Sequence, residues 1–297
     1  MSTSAPDPET RRALLAALAF QVEAGVDETM SDTPIDRFAT AKAARPAEPK
    51  AAAPKTAPEA ELARSAGARP APDPAASPVE AATTAAAAAD DLPSLARIAE
   101  SFEAGPAAAL KSGASRFVFA DGQPGARLMI IGEAPGQEED RRGKPFVGRA
   151  GHLLDAMLAA VGLSRTAEDP ANGVYIANIL PWRPPGNRTP TEEEAAVFLP
   201  FIERHITLAA PERLLLLGNT PLRALTGQTT GITRARGAWR PHPPTGVPLI
   251  ASFHPAYLLR TPAKKREAWA DFLEIADALA LPLNPPPHSA TRGSPPG

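Results

Sequence analysis

Three separated stretches of this 297-residue chain bring together side chains suited to gripping a flat polar guest. The first runs Gly132-Glu133-Ala134-Pro135-Gly136-Gln137-Glu138-Glu139-Asp140 and continues through Gly143-Lys144-Pro145-Phe146-Val147-Gly148-Arg149-Ala150-Gly151. Its glycines let backbone amides approach a ligand, its acids supply carboxylates, and Phe146 supplies a flat apolar wall. The second follows Asn178 and spans Pro181 to Pro190, with Arg183 and Arg188. The third, Ser252 to Arg260, holds His254, Leu258, Leu259 and Arg260.

A phosphate-binding loop is the first rival reading, because a glycine loop before a helix cradles phosphate. Gly136 and Gly143 are separated by six residues rather than four, and proline follows Lys144 where Ser or Thr is required. Glu138, Glu139 and Asp140 would also repel phosphate. Nucleoside triphosphate chemistry is therefore disfavoured.

These stretches need a frame that makes them meet. Arg127–Ile131, Val174–Leu180, Arg213–Leu217 and Val247–Phe253 are apolar runs that read as buried strands, with a shorter strand at Arg116–Ala120. Helical patterns lie between them: Ser94–Glu103, Gly151–Val161, Thr191 to about Ile206, Thr220–Leu225 and Ala263–Leu281. Thr191 with Glu194 forms a capping box at the third of these. Alternation of this kind predicts an α/β fold, a three-layer αβα domain over residues 92–282 around a central, mostly parallel four-stranded sheet. Loops after successive parallel strands gather at one sheet edge, where such folds bind ligands.

The remainder is uneven. Residues 41–91 are mostly alanine and proline with few large apolar side chains, and are expected to form a disordered linker. Residues 1–40 contain one amphipathic pattern, Thr10 to Val26, expected to be a helix. Residues 283–297 read as a disordered tail. Residues 1–100 hold 10 basic and 15 acidic side chains, a balance of −5, and residues 101–297 hold 21 and 18, a balance of +3; together they give the net −2. The expected folded part is thus mildly basic, which permits a nucleic-acid partner. No stretch approaches the roughly 20 apolar residues of a membrane span, and the first apolar run is too short and interrupted for a secretory signal, so a cytoplasmic location is expected. The chain has no cysteine, which removes disulfides, thiolate metal sites and cysteine nucleophiles.

The segments GEAPGQEED, GKPFVGRAG, NILPWRPPGNRTP and FHPAYLLR resemble the motifs of family 4 uracil-DNA glycosylases, in order, across residues from about 100 to 280. The resemblance implies a DNA repair enzyme that flips uracil from DNA and hydrolyses its N-glycosidic bond. It implies that Phe146 stacks on the base, although a phenylalanine here also suits an ordinary core position. It implies that Asn178 reads the uracil amide edge and that His254 donates to uracil O2, with backbone amides near Glu133 and Ala134 completing the pocket. The resemblance also makes Glu139 the better candidate for orienting the attacking water or stabilising the cationic sugar, and Glu133 for supporting the loop. Arg183, Arg188, Arg260, Lys264, Lys265 and Arg266 are candidate phosphate contacts, and Leu258 and Leu259 a candidate wedge. A solvated basic helix start with core leucines accounts for the same residues. The expected partner is uracil-containing DNA, bound by a monomer without a membrane, with the N-terminal helix able to recruit a repair or replication partner.

One departure stands out. Family 4 enzymes typically hold a [4Fe-4S] cluster with four cysteines; the matching positions here lie near Phe102 and Gly105 and on Trp182 and Phe198. No cluster is therefore expected, and large aromatics suggest an apolar plug. The competing reading is a non-catalytic DNA-binding or DNA-polymerase-associated protein on the same fold.

Overall fold

The computed structural model describes residues 76–281, which lie within one compact unit, Ala68–Gly297. The expected N-terminal helix, most of the linker and the tail fall outside the described residues.

A six-stranded mixed sheet forms the centre, in the order β1-β3-β2-β4-β6-β5. Its strands are β1 (Ala120–Gly122), β2 (Leu128–Gly132), β3 (Val174–Asn178), β4 (Arg213–Leu217), β5 (Arg240–Pro241) and β6 (Pro248–Ser252). The four inner strands β3, β2, β4 and β6 are parallel, matching the four apolar runs. The expected four-stranded sheet is corrected by two short antiparallel edges, β1 on β3 and β5 on β6. Both edges are too short and too polar to show a strand period: β1 is Ala-Asp-Gly and β5 ends on proline.

Alternate residues of the inner strands face opposite layers. Met129, Ile131, Tyr175, Ala177, Leu214 and Leu216 belong to one core cluster, and Leu128, Ile130, Val174, Ile176, Leu215 and Leu217 to the other. Continuous apolar strands are the expected consequence of burial on both faces.

Ten α-helices occur among the described residues: α1 (Pro78–Ala87), α2 (Leu92–Ser101), α3 (Pro106–Gly113), α4 (Gln137–Arg142), α5 (Arg149–Ala160), α6 (Glu192–Ala209), α7 (Asn219–Thr226), α8 (Ile232–Ala235), α9 (Pro255–Arg260) and α10 (Lys265–Ala278). Leu154 and Leu158 of α5 and Phe272 and Ile275 of α10 cover one sheet face, and α6 covers the other with α1 and α2 packed upon it. Thr191 caps α6 through the expected box with Glu194.

Helix α1 lies inside the stretch expected to be disordered linker. Ser77 and Glu80 form a capping box, and the buried alanines Ala82 and Ala86 are small enough for close approach to α6. Alanine runs lack a hydrophobic signal yet have the highest helix propensity, so tertiary contact is what orders them. Arg204 of α6 ties this end down by donating to the Ala89 carbonyl at 3.0 Å through Nε.

Candidate active site

The carboxyl ends of β3, β2, β4 and β6 share one edge: Gly132 pairs with Asn178, and Leu217 with Ser252. A cavity of about 530 Å³ opens there, lined by Glu133, Ala134, Gly136, Glu139, Phe146, Asn178, Arg188, His254 and Arg260 among others. The ring of residue 146, the carboxamide of 178 and the imidazole of 254 thus share one pocket. The Phe146 and His254 rings lie 5.4 Å apart, centroid to centroid, with a 29° interplanar angle. A Cβ at Gly132 would overlap Asn178 Oδ1 and come within 2.6 Å of the Phe146 ring, so only glycine lets both side chains reach this point.

Each polar group is held by its surroundings. Asn178 is buried and its Oδ1 has no hydrogen-bond partner. A buried acceptor left unpaired is costly, and such a vacancy suits a donor on a ligand. His254 caps α9, its Nδ1 accepting from the Ala256 N–H at 3.1 Å. The ring proton therefore sits on Nε2. Burial first, and the nearby Arg260 charge second, push the His254 pKa down to about 4, against an opposing pull from Glu139. A neutral imidazole with an Nε2–H donor results.

Three of the four acids of the first motif separate into different tasks because Gln137–Arg142 is helical rather than loop. Successive helical residues point about 100° apart. Glu138 pairs with Arg141 at the surface, at 2.5 Å. Asp140 is buried and accepts from the Ser115 and Arg116 amides at 2.7 and 3.0 Å. Glu139 lines the cavity, with Oε1 accepting from the Val147 and Gly148 amides at 3.0 and 2.9 Å. Glu133 lines it too, with Oε2 accepting from Thr220 Oγ1 at 2.6 Å. Thr220 lies on the loop side of α7; nothing in its local sequence marks it, and only the sheet edge brings it to Glu133.

The candidate DNA contacts divide. Arg260 lines the cavity and is exposed, and Lys265 and Arg266 are exposed at the start of α10. Arg183 donates to Asn187 Oδ1 at 2.6 Å, Arg188 is held in a two-point pair with Glu194, and Lys264 pairs with Glu267 at 2.5 Å. Leu258 is fully buried with Phe253 and Ala268, which corrects its place in the candidate wedge. The reason is again a helix where a loop was expected: on α9, Leu258 turns inward while its neighbour Leu259 is exposed.

A neighbouring groove of about 310 Å³ runs between α6 and α7, lined by Thr191, Glu192, Thr220 and Arg223. It brings together neither an aromatic wall nor an unpaired buried acceptor, so the larger cavity is the candidate site.

A sequence model of the uracil DNA glycosylase superfamily matches residues 119–273. The chain belongs to this superfamily. It is similar to the type-4 uracil-DNA glycosylase of Thermotoga maritima, with 42% identity over 147 residues, covering 48% of this chain and 71% of the relative. Identity to the Archaeoglobus fulgidus type-4 uracil-DNA glycosylase is 37% over 169 residues, 55% of this chain and 82% of the relative. A DNA polymerase of Bacillus phage SP01 shares 32% identity over 158 residues, 53% of this chain and 16% of that protein. Membership in the uracil DNA glycosylase superfamily places the chain among hydrolases of DNA base excision repair, with DNA as partner. No described helix is long and apolar enough to cross a membrane.

The four positions matching the cluster ligands do not fit an iron-sulfur cluster. With no cysteine in the chain there is no thiolate to hold one, and no group of three or more His, Cys, Asp and Glu suited to a metal occurs among the described residues. Trp182 and Phe198 are buried in the core, and Phe102 packs edge-on against Phe201 at 5.1 Å. Phe198 also meets Phe201, and Trp182 meets Phe117. Gly105 has φ +58°, and a Cβ there would lie 2.8 Å from Pro78 of α1. Aromatic packing and the first helix fill this region.

Proposed function

We propose that the chain is a family 4-like uracil-DNA glycosylase that lacks the cluster, takes uracil from DNA into the cavity and hydrolyses its bond to the sugar. The observation that carries this reading is the buried, unpartnered Oδ1 of Asn178 beside the Phe146 ring and the neutral His254. Uracil N3–H is the donor that Oδ1 lacks, and cytosine, with an acceptor at N3, would leave it unpaired. The carboxamide nitrogen is then available to uracil O4, and Phe146 offers its face to the ring.

As the C1′–N1 bond breaks, its electron pair leaves with the base and spreads onto O2 and O4. His254 Nε2–H donates to O2, aimed there before the charge develops. Because Glu139 Oε1 is fastened to two amides, Oε2 is the oxygen left to orient water toward C1′ and take its proton, while the water oxygen forms the new bond. Glu133, braced by Thr220, supports the loop. The departing uracil anion takes up one proton, in net the one Glu139 received from water, so that an abasic sugar and free uracil are the products and the carboxylate is restored. Arg260, Lys265 and Arg266 hold phosphates and Leu259 fills the vacated stack.

The test is incubation with a uracil-containing oligonucleotide and detection of alkali-labile sites, with Asn178→Ala and His254→Ala beside the unaltered chain. Site formation by the unaltered chain that collapses in both variants supports the reading. Intact DNA with retained binding would favour the second reading, a non-catalytic DNA-binding protein, for which the match to part of a phage DNA polymerase is the motivating observation.

A further inference from the structure

Phe146 adopts φ +52°, a left-handed conformation that side chains other than glycine rarely occupy. Three neighbours hold it there. Gly151 of α5 lies so close that any Cβ would overlap the Phe146 carbonyl, and Gly132 lies under the ring. The third is Arg165, in the turn after α5 and nearly buried, with 9% side-chain exposure. Its Nη1 donates to the Pro145 carbonyl at 2.8 Å and its Nη2 to the Phe146 carbonyl at 2.9 Å. The same guanidinium is fixed from behind by Asp155 of α5, at 2.8 Å from Nε, and by Asp121 of β1, at 3.3 Å from Nη1. Asp121 also pairs with Lys144, two residues ahead of Phe146, at 2.9 Å.

We propose that Arg165 is the positioning residue for Phe146, a planar clamp on two successive carbonyls that holds the left-handed backbone and so aims the ring at the base. Arginine suits this because its fork presents several donors in fixed geometry, whereas a lysine ammonium reaches one carbonyl at a time. Arg165 lies outside every motif of the three loops and does not line the cavity. The inference deepens the uracil reading and rests on it only for its consequence in catalysis.

The experiment places 4-fluorophenylalanine at position 146 of the full chain and records its fluorine resonance in the parent, Arg165→Gln and Arg165→Lys forms. In parallel, kcat and KM for uracil excision are measured for Arg165→Gln, Phe146→Ala and the double variant. The resonance is expected to shift or broaden in Arg165→Gln and, to a smaller extent, in Arg165→Lys, whose ammonium can hold only one of the two carbonyls. KM is expected to rise about tenfold in Arg165→Gln with kcat held within about threefold. In the Phe146→Ala background the Arg165→Gln change is expected to add nothing, since both act through one ring. An unchanged resonance in Arg165→Gln, or fully additive kinetic losses, overturns the proposal. If the parent chain excises no uracil, the functional reading falls while the resonance still decides the role of Arg165.

Discussion

In the proposed mechanism His254 acts as a donor, for which its neutral ring and a tautomer set by a backbone amide suit it. Replacement by alanine removes one pre-aimed donor and is expected to lower kcat about 10²–10³-fold. With its pKa held down at about 4, excision is expected to show no His254 inflection near pH 6.5. The loss belongs lower, where protonation of Nδ1 would break its bond from the Ala256 amide. A kcat profile from pH 4 to 8 checks this, and a histidine-like step near 6.5 would count against the assignment. Asn178→Ala is expected to cost a similar factor, but here part of it belongs to recognition. Competition between uracil and cytosine oligonucleotides separates the two contributions.

Short helices at the strand ends sort neighbouring residues into different tasks. On α4 three consecutive acids serve the surface, the cavity and the interior, and on α9 two consecutive leucines serve the surface and the core. Backbone closeness at β2 is equally specific. Gly132→Ala places a methyl group against both Asn178 and Phe146, so one must move. A displacement of roughly 1 Å at reacting groups costs on the order of 10²-fold in rate, which steady-state kinetics on this variant would read. At the other end of the domain, Ser77→Ala removes the cap of α1 and is expected to cost about 1 kcal/mol, measured by urea unfolding.

At the scale of the whole molecule, aromatic packing fills the region where the resemblance would place cluster ligands. Phe198 is fully buried, and Phe198→Ala is expected to destabilise the fold by about 3–5 kcal/mol. Within the same region His205 stacks on Phe119 at 4.3 Å and hydrogen-bonds the Tyr175 hydroxyl at 2.9 Å. Burial lowers its pKa to about 3. Between that value and about 6.5 the unfolded chain binds a proton that the folded chain refuses, so this stability is complete above pH 6.5 and declines as pH falls. His205→Gln is expected to remove about 1.4 kcal/mol per pH unit from that slope, measured by urea unfolding between pH 4 and 7. Domain extent is testable as well: a chain starting at residue 77 is expected to keep the parent's stability, and one starting at residue 91, without α1, to lose some of it.

Much of this was legible in one dimension. The four inner strands announce themselves as apolar runs because burial on both faces removes alternation, and the α6 cap is written in Thr191 and Glu194. Phe146, Asn178 and His254 are singled out by the resemblance of their motifs to those of family 4 uracil-DNA glycosylases, in stretches that follow apolar strand runs. Local order without large apolar residues leaves no such trace, so α1 and β5 carry no signal, and the short strand expected at Arg116–Ala120 lies instead at Ala120–Gly122. Leu258 was misplaced for a related reason: apolar identity does not tell a wedge from a core residue until the helix phase is known. Thr220 and Arg165 were invisible because their meaning comes from partners 87 and about 20 residues away. Residue types and strand patterns, being local, thus established the class of fold and the chemistry on offer. Which acid faces the cavity, which leucine faces solvent and what holds the Phe146 ring depended on long-range packing, because only contact between distant segments gives those side chains their direction.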